Sequence, residues 1–329
     1  MHVSELQTPA LIVDSALLDA NIALMAKSHP GPRLRPHVKA HKTTELARRQ
    51  VAAGHTGFTC ATIREVEGMA AAGLGGDLLL ANEVADARRL GVVVDSGARV
   101  TLAVDSEATV RAAVLGGVRE VVIDVNIGLP RCGAPAEMAG PLAELARSLG
   151  LEVRGVMGYE GHLMQVQEDM DQDALVEASM AILLKASADV GGELVSAGGT
   201  GTYLANKWAS EIQAGSYALM DSTYATTVPF AQALHLLTTV ISVSDGWAVC
   251  DIGLKSHSMD HGNPTIKGAA VWFCADEHTV FAAEQRPRVG DKLQAIPAHI
   301  DPTVAMHQRM HVIEDDTVID TWEVDLRGW

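Results

Sequence analysis

From residue 33 to about residue 217, short apolar runs alternate with Ala/Leu/Glu/Arg-rich amphipathic stretches, and no other feature narrows the possible folds as much. Runs with strand character lie at 33–39 (RLRPHVK), 57–61 (GFTCA), 77–81 (DLLLA), 99–104 (RVTLAV), 120–125 (EVVIDV), 153–159 (VRGVMGY), 194–198 (LVSAG) and 211–215 (EIQAG). Between them the pattern predicts helices over 63–72, 84–90, 106–115, 136–148 and 172–189, most ending near a glycine able to cap them. These units predict an α/β fold, a (β/α)8 TIM barrel spanning 15–228, with a doubly wound sheet as the alternative. Residues 8–27 read as one more strand and a helix leading into the barrel.

After about residue 230 the runs become β-branched and aromatic, broken by Asp-Gly and Glu-Asp-Asp turn signals. This predicts a second, C-terminal all-β domain, formed by 1–14 with 229–329. Trp247, Trp272, Trp322 and Trp329 fall within it, and packing is the plain reading for all of them. The 41 acidic and 25 basic residues leave a formal charge of -16, so the chain lacks the field that gathers nucleic acid or an anionic membrane. Any anion must be held locally. Four widely spaced cysteines read as reduced thiols, and with no basic-then-apolar leader and no long apolar run the expectation is a soluble, unprocessed, cytoplasmic protein.

In such a barrel the chemistry belongs at the C-terminal strand ends. The residues there are polar: Lys39, then Asn82 and Glu83, Asp105, NIGLPRCG (126–133), YEGH (159–162), GGTGTY (198–203) and AGSY (214–217). Strand alternation predicts Leu34 and Val38 facing the helices and Arg35, His37 and Lys39 facing inward, with Lys42 past the strand end at a solvated position. An inward lysine is by default an ion-pair partner, but at a barrel mouth a partly desolvated amine can attack a carbonyl. Gly199, Thr200, Gly201 and Thr202, with Gly215, Ser216 and Tyr217, either form a mere tight turn or offer N–H and hydroxyl groups where barrels hold a phosphate. A phosphate cradle with an electrophile-trapping lysine suggests pyridoxal 5'-phosphate, whose Schiff base turns the ring into an electron sink. His299 and Asp301 in AHIDPTV, if on one strand, project to the same side and can reach one cation; a hydrogen-bonded surface pair is the alternative.

The stretches RPHVKAHK, ATIREVE, LLANEV, NIGLPRCG, YEGH, SAGGTGTY, EIQAGSYALMD, DIGLK and HIDPTV run in order through most of the chain. Through them the sequence resembles the alanine-racemase-like (fold-type III) pyridoxal-phosphate enzymes, in the branch of D-threonine aldolase, 3-hydroxy-D-aspartate aldolase and D-serine dehydratase. The resemblance implies that Lys39 is the Schiff-base lysine and that Arg131 lies near the cofactor's phenolate oxygen, although relatives carry a shorter turn than NIGLPRCG. It also places Gln213, a neutral partner, at the pyridine nitrogen, and Tyr159 beside the cofactor. It makes His299 and Asp301 metal ligands, the aspartate favouring manganese or magnesium over zinc where the dehydratases carry cysteine. His162 is the candidate base for the substrate's β-hydroxyl.

The implied activity is metal-dependent cleavage of D-β-hydroxy-α-amino acids, the D-threonine type, to glycine and an aldehyde by a homodimer. A D-serine or D-threo-3-hydroxyaspartate dehydratase is the alternative, and a non-catalytic pyridoxal-phosphate carrier a second one. A racemase needs a tyrosine from the β domain, yet Tyr159, Tyr203, Tyr217 and Tyr224 all precede it. His307 and His311 read as exposed histidines outside the metal set.

Overall fold

A parallel sheet covered by helices buries its strands on both faces, which the short apolar runs satisfy. The computed structural model describes residues 1–167 and 169–329. They divide into two units: Ala26–Lys39, Leu46–Gly215 and Gly328–Trp329 in one, and Met1–Met25, Ala40–Glu45 and Ser216–Arg327 in the other. The first strand in the chain, β1 (Ala10–Asp14), belongs to the latter and is followed by α1 (Ser15–Ser28) and α2 (Thr44–Ala52).

In the barrel unit, β2 (Phe58–Cys60), β3 (Leu78–Leu80), β4 (Val100–Val104), β5 (Glu120–Asp124), β6 (Glu152–Met157), β7 (Leu194–Ala197) and β8 (Glu211–Ile212) form one parallel sheet in chain order. Helices α3 (Ile63–Ala71), α4 (Arg88–Asp95), α5 (Glu107–Leu115), α6 (Ala136–Ser148) and α7 (Gln172–Val190) alternate with them. Thr62 and Ser106 start α3 and α5 with reciprocal capping boxes, and Asp171 caps α7. The helix expected from residue 84 begins only at Arg88, because the Asp86 carboxylate accepts the Arg88 N–H at 3.1 Å and starts the first turn there.

The first expected strand is not a continuous strand. Pro36 has no N–H to give, so the segment contributes single parallel bridges, Leu34 to Ile212 and His37 to Thr59. Arg35 N–H donates to Ile212 O at 2.9 Å, His37 N–H to Ala214 O at 3.0 Å, and Thr59 N–H to Pro36 O at 2.9 Å. The segment thereby links the two edge strands, β8 and β2, and closes the cylinder.

The interior is ionic where the strands begin. Arg35 donates to Glu211 and to Asp77, each at 2.7 Å, and Arg154 donates to Asp77 at 2.7 Å and to the Thr101 hydroxyl at 2.8 Å. Burial alone would raise the Asp77 carboxyl, but the hydrogen bonds from Arg154 and Arg35 outweigh it and hold its pKa down at about 2.

In the other unit β1 runs parallel to β15 (Arg309–Glu314) and antiparallel to β9 (Leu234–Val243). Around them lie β10 (Ala248–Cys250), β11 (Thr265–Ile266), β12 (Ala269–Cys274), β13 (Thr279–Ala283), β14 (Lys292–Ile296) and β16 (Thr317–Glu323), which complete a nine-stranded sheet, and α8 (Ile300–Met306) precedes β15. The strand read within residues 8–27 is a central strand of this sheet. Among the tryptophans only Trp322 is a core residue; Trp247 and Trp272, 43 % and 51 % exposed, tilt against each other, the latter on edge strand β12, and Trp329 is exposed. Cys60, Cys132, Cys250 and Cys274 are not joined in disulfides. Among the described residues no helix is long and apolar enough to cross a membrane.

Candidate active site

Just past His37 the chain makes one 3-10 turn, Val38–Ala40, and this turn, not a strand, carries Lys39 to the C-terminal strand ends. Lys39 is half-buried, with Nζ 6.0 Å from the centroid of the Tyr159 ring. Arg131 Cζ lies 5.3 Å from the same centroid. Each contact contributes only about 0.5–1 kcal/mol at such distances. Their significance is geometric, since three side chains from separate strand ends share one place. Lys42 departs from the expected solvated position: it is half-buried, takes φ +49° and its carbonyl accepts Leu326 N–H at 3.0 Å.

The glycine-rich turn after β7 is held from below by Glu160, a fully buried carboxylate. Its oxygens accept Gly198 N–H at 3.1 Å, the Thr202 hydroxyl at 3.0 Å and the Asn206 amide at 2.8 Å. Thr202 Oγ1 in turn accepts Gly199 N–H at 3.2 Å. A Cβ on Gly201 would sit 2.1 Å from the backbone oxygen of Met164, so that position excludes a side chain, while one on Gly199 would sit 2.8 Å from Met164 Sδ and require that side chain to shift. Thr200 is buried inside this turn. Gly215 is buried at the end of the following segment, Ser216 and Tyr217 open a short 3-10 turn, and the Tyr217 ring is fully buried against Phe230 at 5.6 Å.

Gln213 is half-buried and its amide joins the ionic interior. Gln213 Nε2 donates to Ser196 Oγ at 2.9 Å, Ser196 Oγ donates to Glu211 Oε1 at 2.7 Å, and Arg35 donates to that same oxygen. The orientation of the amide follows from chemistry. A carboxylate paired with arginine only accepts, so the serine proton goes to Glu211 and the serine lone pair takes the amide N–H.

His162 sits in the 3-10 turn Gly161–Leu163 and is exposed. A Cβ on Gly128 would fall 2.7 Å from its Cε1, so the glycine of NIGLPRCG admits the imidazole. Beneath this loop Asp124, Asn126, Arg131, Cys132 and Tyr159 line a small cleft. Burial and the neighbouring charge and hydrogen bond of Glu83 push the Asp124 carboxyl well above the carboxylate range, and the same Glu83 raises the Cys132 thiol to about 11. Glu83 stood out in the sequence as a strand-end residue; Asp124, read as strand interior, did not.

The other unit holds His299, which precedes α8 in an extended conformation (φ −144°, ψ 120°). Asp301 lies in the first turn of α8, so the two do not share a strand and the parity expected from their spacing does not apply. Pro302 explains it: a ring that cannot donate a ladder bond is at home in a first helical turn. Buried Asp221 accepts Ile300 N–H at 3.3 Å at the start of this helix, and burial raises the Asp221 carboxyl. The donor atoms gathered around His299 are those of Asp260 and His261, all within 4.8 Å of one another. Neither was singled out in the sequence. His307 and His311 are half-buried, not exposed, and engage Ser256 O at 2.7 Å and Thr321 Oγ1 at 3.0 Å.

A half-buried lysine facing an aromatic ring, a glycine turn without room for a Cβ and a neutral amide at the adjacent strand end fit pyridoxal 5'-phosphate. The nitrogen and carboxylate donors around His299 are of the kind that suits a divalent cation; the predicted partner Asp301 is not among the groups gathered there.

Two family models match the chain, that of the alanine racemase N-terminal domain over residues 13–223 and that of a serine dehydratase domain over residues 233–313. The D-threonine aldolase of Arthrobacter sp is 33% identical over 363 residues, spanning 99% of this chain and 94% of that protein. The crystal structure of D-threonine aldolase from Filomicrobium marinum superposes with TM-score 0.91 at 31% identity, covering 99% of this chain and 97% of that one. D-threo-3-hydroxyaspartate dehydratase from Delftia sp. HT23 superposes with TM-score 0.91 at 27% identity over 100% of both chains. With both parts of the chain matched and the barrel mouth built as described, the protein belongs to the alanine-racemase-like, fold-type III pyridoxal-phosphate enzymes, in the branch of the D-threonine aldolases and D-serine dehydratases.

Proposed function

We propose that the protein is a lyase of the D-threonine aldolase kind, cleaving D-β-hydroxy-α-amino acids to glycine and an aldehyde with pyridoxal 5'-phosphate and a divalent metal. The observation that carries this reading is the meeting of Lys39 and Arg131 on the Tyr159 ring at the strand ends. In this reading Lys39 holds the cofactor, and Gly199, Thr200, Gly201, Thr202, Gly215, Ser216 and Tyr217 hold its phosphate. Arg131 and Tyr159 position the ring, and Gln213 meets its nitrogen. Bound there, pyridoxal phosphate supplies an electron sink for the pair left on Cα. A divalent cation at His299 and Asp301, manganese or magnesium before zinc, supplies Lewis acidity toward the β-hydroxyl.

His162 takes the proton of that hydroxyl, as an imidazole suits. The Cα–Cβ bond then breaks, the aldehyde leaves with the oxygen, and a proton returned to Cα gives glycine. Aspartate at position 301, where the dehydratases carry cysteine, favours cleavage over loss of water. A mere cofactor carrier has no use for the second, nine-stranded unit. From its widely spaced thiols we read the enzyme as cytoplasmic, by the same resemblance as a homodimer, and from the change of pattern near residue 230 as carrying the cofactor on 15–228 and the metal on 1–14 with 229–329.

Holoenzyme incubated with D-threonine should release glycine and acetaldehyde, stop when a chelator is added, and resume with Mn2+. Accumulation of 2-oxobutyrate and ammonia instead would install the dehydratase, and aldehyde release indifferent to chelation would remove the metal.

A further inference from the structure

Around His299 a closed circuit of hydrogen bonds involves residues that the cleavage reaction, as described, leaves unused. Asp260 Oδ2 lies 2.6 Å from His299 Nδ1. The other oxygen of Asp260, Oδ1, accepts the Ser258 hydroxyl at 2.5 Å. Ser258 N–H donates to Thr303 Oγ1 at 3.1 Å, and Thr303 Oγ1 donates to the carbonyl of His299 at 2.7 Å, which returns the circuit to its start. The His261 ring lies flat on the His299 ring, centroids 4.1 Å apart and planes 3° from parallel.

We propose that Asp260 is the positioning carboxylate of the metal site: it keeps the His299 proton on Nδ1 and so presents the Nε2 lone pair to the cation. The inference rests on the reading of His299 as a ligand. The reasoning is one of donors and acceptors. An ionised carboxylate can only accept, so the nitrogen 2.6 Å from it carries the hydrogen. A neutral imidazole has one N–H, and with that on Nδ1 the lone pair is on Nε2. With one edge bonded to Asp260 and one face covered by His261, the ring keeps a single orientation. Asp260 has both oxygens engaged by protein donors, which suits an orienting role better than direct ligation.

The first test needs no metal. In long-range 1H–15N spectra of the metal-free protein, with the His299 ring identified by its loss in His299→Gln, the wild-type ring should carry its proton on Nδ1. Asp260→Asn, whose amide oxygen still accepts, should keep that tautomer, and Asp260→Ala should lose it. Asp260 is half exposed, so neither variant opens a cavity. Mn2+ binding to the holoenzyme, followed by electron paramagnetic resonance, should weaken about 10–100-fold in Asp260→Ala, less in Asp260→Asn, and not at all in His261→Phe, which keeps the stack. A wild-type ring protonated on Nε2, or a tautomer unmoved in Asp260→Ala, would overturn the proposal. So would Asp260→Asn binding Mn2+ as poorly as His299→Ala, since Asp260 would then itself be a ligand. Undiminished Mn2+ binding in His299→Ala would instead remove the metal reading, leaving the tautomer to decide the Asp260 bond by itself.

Discussion

Glu160→Gln asks whether the glycine-rich turn rests on an ionised acceptor. Gly198 N–H, the Thr202 hydroxyl and the Asn206 amide all donate to this carboxylate, at 3.1, 3.0 and 2.8 Å, from a shell that excludes water. A glutamine has one acceptor oxygen. If it faces Thr202 and Asn206, its NH2 meets the backbone N–H of Gly198, donor against donor; flipped, its oxygen takes the Gly198 N–H but its NH2 meets the Asn206 amide, again donor against donor. The threonine hydroxyl can rotate away, but the backbone N–H cannot. Buried hydrogen bonds to a charged group contribute about 1.5–3 kcal/mol each. Removing the charge also removes its own desolvation cost, so the net loss of folding stability should be about 2 kcal/mol. Urea unfolding of the cofactor-free protein by circular dichroism measures it, and a titration with pyridoxal phosphate should show weaker uptake from the loosened turn. A stability change below about 0.5 kcal/mol, the scale of an indifferent surface substitution, would refute the reasoning.

Two further outcomes follow from the barrel interior and the turn. The Asp77 carboxyl has its folded pKa lowered to about 2 from an ordinary 3.8, so its contribution is fully present above the ordinary value and is lost as pH falls toward 2. Screening at the quarter-exposed side chain limits the loss to ~2 kcal/mol at most, and acid unfolding curves of the wild type should fall more steeply across that window than those of Asp77→Asn. Gly201→Ala places a Cβ against a backbone oxygen that has no rotamer to escape into, and such overpacking costs roughly 1–3 kcal/mol, so pyridoxal phosphate should bind about 5–150-fold more weakly by absorbance titration. Gly76→Ala, where nothing lies within 4 Å, should bind it as the wild type does.

The barrel was legible because its signal is local and repeated. Residues 136–148 and 172–189 read as helices and form them at Ala136–Ser148 and Gln172–Val190, since apolar periodicity and a capping residue lie within the same few turns. Where a single residue overrode the pattern, the reading slipped. Pro36 interrupts the first strand, so Lys39 reaches the mouth on a 3-10 turn although strand parity had assigned it a place on a strand. The outer face of the second sheet was misread for a different reason. A tryptophan on an edge strand looks in sequence like one in a core, and only the topology tells Trp272 from Trp322.

At the candidate site, the residues proposed to make chemistry carry a local mark in the sequence and those that hold them do not. Lys39, the glycine turn and His299 each stand in a short motif whose residue types announce a reactive group. Their supports are distant in sequence: Glu160 reaches 38 to 46 positions along the chain, Glu211 meets Arg35 across 176, and Asp260 meets His299 across 39. A lone glutamate or aspartate carries no local mark of such a task, because what defines it is the set of donors that folding brings around it. The His299 and Asp301 pair shows the limit from the other side. Two-residue spacing implies a shared face only on a strand, and Pro302, the one residue that argues for a helix start there, points to the orientation the chain adopts. For a fold whose strand ends are supplied by separate segments, the supports are therefore the positions at which substitution should change cofactor and metal affinity without touching either group.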